Sequence, residues 1–391
     1  MITTITGAVL ERIGDPAPYA DSRPLRIRRL RLDDPRRGEL LVRIEAAGVC
    51  HSDLSVVSGV RPRPVPMLLG HEAAGIVTAA GAGTSVPVGA RVVMTFLPRC
   101  EECVACRTGG RAPCSVGSAA NGAGVLLGGG SRLHGDGDGE RGGGDGERGD
   151  GDGERGEGRG EEIAHHLGVS AFADHAVVDE RSVVVVDDDV PPDVAALMGC
   201  AVLTGGGAVM NSARLQVGES LIVVGLGGVG LAAVLAGLAL GAGRVTAVDV
   251  QPAKLDSARA LGAHDALTSS DAVDAGLTAD VVVEAVGRAS AFEQALQLTA
   301  PGGRTVTVGL PAPDDLATVS PLALVAEGRS IIGSYLGGSV PRRDIPRFVE
   351  LWRAGRLPVE KLVSRHIGLG DINEAMDELA AGRAVRQVIH F

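Results

Sequence analysis

Apolar and polar positions change rhythm near residue 200. Before it the apolar runs are short: Leu40-Leu41-Val42-Arg43-Ile44 and Ala74-Gly75-Ile76-Val77 read as strands, and Arg61 to Pro66 (RPRPVP) as a loop. No long helical period occurs over residues 1–130. After residue 200, Ser220 to Val224 is an apolar strand running through a glycine-rich turn into an Ala/Leu-rich helix that ends near Leu240. Arg244 to Val250, Val281 to Val283 and Thr305 to Val308 supply further strands. Strands alternating with helices predict a parallel, doubly wound sheet, so the fold class is α/β with a β-rich region ahead of that sheet. Beyond Arg342 the chain returns to helix-like segments and closes on the strand-like Gln387 to Phe391. At 391 residues it is long enough for about two domains.

One segment has no apolar pattern. Residues 135–160 hold thirteen glycines, nine acids and four arginines, with three heptads of the form G-D-G-E-R-G-x from Gly137 to Glu157. Nothing there can enter a core, which predicts a disordered insertion over 135–162. Calcium-binding β-roll repeats share the Gly/Asp bias but need a periodic apolar residue that is missing here.

Composition narrows the function classes. Aromatics are 2% of the chain, too few for a base-stacking face, and the net charge of −11 has the wrong sign for gripping phosphate backbones. The apolar stretch Leu231 to Gly243 is well short of the ~20 residues a bilayer span requires. No basic patch followed by an apolar run stands at the N-terminus, so the expected location is the cytoplasm. A small-molecule partner is expected, with neither nucleic acid nor membrane.

Three motifs carry chemistry. Cys100-x2-Cys103-x2-Cys106-x7-Cys114 offers four thiolates in one short segment, enough to close a tetrahedral zinc site with no position left for substrate. An iron–sulfur cluster also takes four cysteines, and spacing alone leaves it open. Gly225-Leu226-Gly227-Gly228-Val229-Gly230 is a G-x-G-x-x-G run between strand and helix, where glycines let pyrophosphate approach a helix N-terminus. Asp249, nineteen residues after Gly230, ends the next strand; a carboxylate there favours NAD over NADP by accepting from ribose hydroxyls. The third group is Cys50-His51-Ser52-Asp53 with Gly70-His71-Glu72. A catalytic zinc commonly has three protein ligands, Cys2His among them, but spacing alone does not select Cys200 as the third.

Together G-V-C-H-S-D-L at 48–54, G-H-E at 70–72, the four-cysteine lobe, G-C-A-V-L-T-G at 199–205 and G-L-G-G-V-G at 225–230 resemble the zinc-dependent medium-chain alcohol dehydrogenases, in their class III-like branch with a long segment after the lobe. The resemblance covers essentially the whole chain outside the insertion. It implies a GroES-like zinc-binding catalytic domain at 1–201 and 336–391, and a Rossmann NAD-binding domain at 202–335. It implies two zinc ions: a catalytic one on Cys50, His71 and Cys200, and a structural one on Cys100, Cys103, Cys106 and Cys114. Glu72 then neighbours the catalytic metal, Asp53 orients the ligand histidine, and Ser52 takes the substrate proton. Thr204 contacts the nicotinamide, Lys254 the ribose beside Asp249, and Arg386 lies near the pyrophosphate. Phe96, Tyr335, His166 and Leu167 fall at pocket-lining positions. Two positions depart from the pattern: Ser55 stands where many relatives end the proton path in histidine, and His51 where others set arginine against the pyrophosphate.

The resemblance implies hydride transfer between an alcohol or aldehyde and NAD. A thiol-adduct formaldehyde dehydrogenase shares these motifs, although Ser118 occupies the place of the arginine found in relatives that use glutathione. A zinc-free quinone reductase lacks such cysteines, and a non-catalytic zinc or NAD sensor is the alternative outside enzymes. Relatives with the long segment (here Ser115 to Leu133, then the insertion) tend to be dimers, so a homodimer is expected. Deleting residues 137–157 should leave folding and kcat nearly unchanged, because loop length costs only ~0.6 kcal/mol per doubling. A large loss of activity in that deletion would place the segment at the active-site rim.

Overall fold

The computed structural model of the protein describes residues 3–136 and 160–391, so the heptads at 137–157 lie outside the described residues. The insertion expected over 135–162 starts and ends in paired backbone: strand Leu133–Gly135 runs antiparallel to Glu162–His165. Gly135 and Glu162 are therefore strand residues rather than loop. The ladder extends to Leu30, Arg31 and Leu32 on one side and to Met67 and Leu68 on the other, which draws the flanks into regular structure.

These strands close a five-stranded barrel with Thr3–Leu10, Leu25–Leu32 and Met67–Leu68. Beside it lies a seven-stranded sheet ordered Val183–Val186, Arg91–Met94, Glu72–Ala80, Glu39–Val49, Gln387–His390, Arg365–Ile367, with His175–Asp179 also paired to Glu39–Val49. The last strands of the chain thus return to the first sheet. Between them, six parallel strands form a second sheet ordered Asp265–Leu267, Arg244–Val248, Ser220–Val224, Ala279–Glu284, Thr299–Thr307, Ser330–Gly333. Numbered along the chain, that order is 3-2-1-4-5-6, the doubly wound arrangement whose ligand crevice opens where the order reverses. The glycine turn follows the first strand, at that reversal.

One continuous helix, Pro192–Ala213, joins the two sheets, and the expected boundary at 201/202 falls inside it. It is 22 residues long with a mean hydropathy of 1.5, enough by length and composition to cross a bilayer and longer than the apolar stretch singled out above. In the fold 83% of its apolar window is buried inside the protein. Its core residues, from Val194 to Ala213, pack with Ala46, Ala74 and Val93 of the first sheet and with Leu221, Val223 and Val245 of the second. A single apolar cluster therefore spans the junction.

Candidate metal and coenzyme site

Strand register assembles the first part of the site. Gly48 pairs with Glu72 in the antiparallel ladder, so Cys50 and His71, just past those partners, leave the sheet at the same end. On the other flank Val49 pairs with Gln387, which sets Arg386 beside Cys50; Arg386 Nη1 donates to the Val49 carbonyl at 3.3 Å. Cys200 arrives on the joining helix, where Met198–Val202 widens into π-helical turns of a kind that concentrates at functional sites. Cys50, His71 and Cys200 are all buried, their ligand atoms lie within 4.8 Å of one another, and Cys200 Sγ is 3.6 Å from His71 Nε2.

Asp53 holds two of these residues in place. It sits in the first turn of helix His51–Val57, whose N-cap is Cys50. Asp53 Oδ2 accepts from the Cys50 backbone N–H at 3.1 Å, while Oδ1 accepts from Gly70 N–H at 3.3 Å and from His71 Nδ1 at 3.0 Å. Burial pushes its pKa up, but the His71 charge, the close His166 ring and the His71 hydrogen bond outweigh that and hold it at about 2. With Nδ1 committed to the carboxylate, His71 presents Nε2 to the thiols. His166 Nδ1 also lies 3.2 Å from Asp53 Oδ1, off the hydrogen-bonding direction, and its ring stands edge-on to His71.

Glu72 is fully buried, and neither carboxylate oxygen has a hydrogen-bond partner. Burial pushes its pKa up to about 7 against the pull of Arg386, whose Nη2 lies 3.6 Å from Glu72 Oε2. The other face of Arg386 presses on Gly228, where a Cβ would collide with its Nε. One guanidinium therefore spans the space between the cysteine–histidine cluster and the glycine turn.

The turn is closed by its own chemistry. Gly225 has φ +91°, and a Cβ on Gly230 would strike the Gly225 carbonyl, so both positions require glycine. Gly227 caps helix Gly228–Ala239, which also carries Val229. Asp249 Oδ2 accepts from Leu226 N–H at 2.7 Å and Oδ1 from Gln251 N–H at 2.9 Å, with Lys254 Nζ 3.9 Å away. Thr204 is one turn beyond Cys200 on the joining helix, next to Gly205, where a Cβ would strike the Val229 carbonyl. His51 is exposed at the lip; desolvation, with Lys254 and Arg386 nearby, lowers its pKa despite the opposing pull of Cys50. Ser52 is the second residue of helix His51–Val57, two positions past Cys50.

The four lobe cysteines also converge, with all sulfurs within 4.8 Å of one another. Cys100–Cys106 and Cys103–Cys114 separations are both 4.0 Å, close to the ~3.8 Å edge of a tetrahedron with ~2.3 Å zinc–sulfur bonds. Backbone N–H groups of Cys103, Cys106 and Gly117 point at the sulfurs of Cys100, Cys103 and Cys114 at 3.3–3.4 Å, a setting that favours thiolates over disulfides. All six cysteines are free.

Comparison with known proteins matches this geometry to a family. Residues 36–134 fit the model described as alcohol dehydrogenase GroES-like domain, and residues 228–353 that described as zinc-binding dehydrogenase. The S-(hydroxymethyl)glutathione dehydrogenase of Synechocystis sp. is 33% identical over 381 residues, covering 94% of this chain and 97% of that protein. Alcohol dehydrogenase class-3 of Drosophila melanogaster is 31% identical over 94% of this chain and 95% of its own length. The chain is a zinc-dependent medium-chain alcohol dehydrogenase. Among solved structures, an alcohol dehydrogenase zinc-binding domain protein from Burkholderia ambifaria superposes with TM-score 0.88 at 31% identity, each chain covered completely. Benzyl alcohol dehydrogenase from Acinetobacter calcoaceticus gives 0.86 at 28%, covering 100% of this chain and 99% of that one.

Several features of this alcohol dehydrogenase have no signal in the linear sequence. The approach of His166 to Asp53 joins positions with no shared motif. Arg61 and Arg63 read only as loop. Asp193, His366 and His390 meet on the surface, with His366 Nε2 and His390 Nε2 at 2.8 and 2.9 Å from the Asp193 carboxylate, although they come from three distant segments. Asp249 generates a prediction. Asp249→Ser should relax NAD preference toward NADP, because a neutral residue no longer repels a 2′-phosphate. Efficient NADP use by the wild type would show that this carboxylate serves only to close the turn.

Proposed function

We propose that this enzyme transfers a hydride between a primary or secondary alcohol, or the matching aldehyde or ketone, and NAD. The convergence of Cys50, His71 and Cys200 at the crevice beside the glycine turn carries this reading. Two soft thiols and an imidazole, with His71 Nε2 left free by Asp53, are a donor set that fits zinc and leaves a fourth position open. Zinc on these three residues would supply Lewis acidity that lowers an alcohol pKa, and a second ion on Cys100, Cys103, Cys106 and Cys114 would fix the lobe. The turn from Gly225 to Gly230, with Asp249, Lys254, Thr204 and Arg386, would hold NAD, whose chemistry is to accept the hydride.

The chain's own groups do the rest. Ser52, two positions past Cys50, takes the substrate proton and passes it outward. Ser55 donates to the His51 carbonyl at 2.8 Å, so the relay ends in water or another base rather than in a histidine at this position. Phe96, edge-on to His71 at 5.6 Å and to Tyr335 at 6.1 Å, supplies an apolar wall that excludes water from the reacting carbon. Asp53 keeps the imidazole aimed. His51, without the permanent charge of arginine, would release reduced coenzyme more readily.

A thiol-adduct reading has support of its own, since several similar proteins carry the name S-(hydroxymethyl)glutathione dehydrogenase. Ser118 weighs against glutathione as the thiol.

Metal analysis with an alcohol panel tests the main reading. Active protein should contain two zinc ions per chain. Cys50→Ala should abolish turnover while largely preserving NAD binding, and Cys103→Ala should lower stability and metal content. Purified active protein with one zinc or none would falsify it.

The assembly we favour is a homodimer. Ser330–Gly333 is the outermost strand of its sheet, with Ile331 37% and nearby Leu310 49% exposed, and two-fold pairing is the commonest way to cover such an edge. Light scattering should report near twice 39.6 kDa. A tetramer would mean that the long segment after the lobe is a poor guide to assembly.

A further inference from the structure

Arg61 and Arg63 lie on the loop that leads from helix His51–Val57 to strand Met67–Leu68, and both are partly buried. The loop is anchored at its start, where Arg61 N–H donates to the Ser55 carbonyl at 2.8 Å. Arg61 Nη2 reaches across to the Leu310 carbonyl at 2.6 Å, just past strand Thr299–Thr307 of the coenzyme sheet. Arg63 Nη1 donates to the Asn121 carbonyl at 3.4 Å, and Asn121 Nδ2 donates to the Phe96 carbonyl at 2.7 Å. Phe96 in turn stands between Tyr335 and His71. Both guanidiniums therefore flank the outer end of the aromatic wall whose inner end is the His71 imidazole.

Their partners are all neutral carbonyls. Among the described residues neither arginine forms an ion pair, whereas Arg91, Arg132, Arg181 and Arg304 each pair with a carboxylate. The ionisable groups facing them are the Tyr335 phenol, which interacts with both, and His166, which interacts with Arg63. Burial and the neighbouring Arg63 both act against the charged form of Arg61, and Tyr335 offsets them only in part. Two like charges held partly out of water without a counter-ion are costly, and an incoming anion relieves that cost. A guanidinium presents a planar fork that matches a carboxylate.

We infer that Arg61 and Arg63 form an anion-binding rim, and that the preferred substrate carries a carboxylate separated by an apolar body from its carbinol carbon. This rests on the alcohol-oxidising reading of the site. The carboxylate can belong to a small carboxylated alcohol or to the thiol part of a hydroxymethyl adduct.

Matched substrates separate these sources. The full-length, zinc-loaded protein is assayed with NAD on 4-(hydroxymethyl)benzoate against benzyl alcohol, and on formaldehyde with glutathione against formaldehyde with glutathione diethyl ester. The kcat/KM ratio within each pair cancels losses common to both members. In the wild type at least one pair should favour the anion by about tenfold or more, falling to about one in R61Q/R63Q and only partly in R61K/R63K. Preference in the first pair assigns a free carboxylated alcohol; preference in the second assigns the thiol adduct. Ratios near one in both pairs, or ratios that the substitutions leave unmoved, overturn the rim. Calorimetry with 4-carbamoylbenzoate, which has the anion but no carbinol, reads the arginines without turnover. Binding that R61Q/R63Q abolishes, in a protein that oxidises none of these alcohols, would retain the rim and refute the oxidation. Oxidation of benzyl alcohol with neither anion preference nor arginine-dependent binding would refute the rim alone.

Discussion

Asp53 stays ionised in a fully buried position because two backbone N–H groups and the His71 imidazole donate to it, with the His166 ring alongside. A carboxylate buried without such partners would be driven toward its neutral form. These contacts do more than solvate it. The N–H of Cys50 and the ring of His71 come from segments twenty-one residues apart, and one side chain pins both. The tautomer of His71, the direction of its Nε2 and the entry angle of the Cys50 helix all follow from that single carboxylate.

The carboxylate can do this only because strand register has already brought its partners together. Glu39–Val49 pairs with Glu72–Ala80 on one side and Gln387–His390 on the other, and Cys50, His71 and Arg386 all leave at one end of this trio. A slip of one residue would turn these side chains to the opposite face of the sheet. Cys200 depends on a different constraint, the close approach of the joining helix. A Cβ on Gly199 would meet the Met94 carbonyl, and one on Gly207 would meet the Gly337 carbonyl. The helix is thereby fixed against both the first sheet and the crossing back from the second. Because the apolar cluster is continuous across that junction, placement of Cys200 and of the glycine turn is a single packing problem.

Much of this was legible in the sequence, for identifiable reasons. The parallel sheet announces itself through apolar runs such as Ser220 to Val224 followed by glycine and a long helical period. The four-cysteine lobe and the glycine turn are local motifs whose chemistry is set by short spacing. Cys200 is different: alone in Gly199-Cys200-Ala201 it carries no ligand signal, and only resemblance singled it out. The ends of the acidic insertion differ from the sequence expectation because Gly135 and Glu162 belong to a polar, glycine-rich composition, yet their backbones continue a ladder begun by Leu133 and Ile163. The length of the Pro192–Ala213 helix was hidden by its glycines, which lower helical propensity but allow the close contacts that hold it. Contacts such as His166 with Asp53 have no linear signature, since they arise only when separate loops are packed together.

Glu72 and Arg386 show where stability gives way to chemistry. Burying a carboxylate with no hydrogen-bond partner and a guanidinium 3.6 Å away is poor economy for folding, since desolvation of such a pair commonly exceeds its mutual attraction. An apolar pair of similar volume would serve the core as well. What an apolar pair lacks is charge at both ends of the crevice. Arg386 touches Gly228 at the start of the glycine-turn helix, where the helix dipole already favours an anion, and it faces Glu72 beside Cys50 and His71. An anion seated on that helix start would compete with Glu72 for the same guanidinium. A weaker hold by the guanidinium would leave a buried carboxylate with less to balance it, next to a cluster of soft ligands. Arg386, which the end of the chain delivers into the first sheet, is thus the one side chain that faces both the glycine turn and the carboxylate beside the cysteine–histidine cluster.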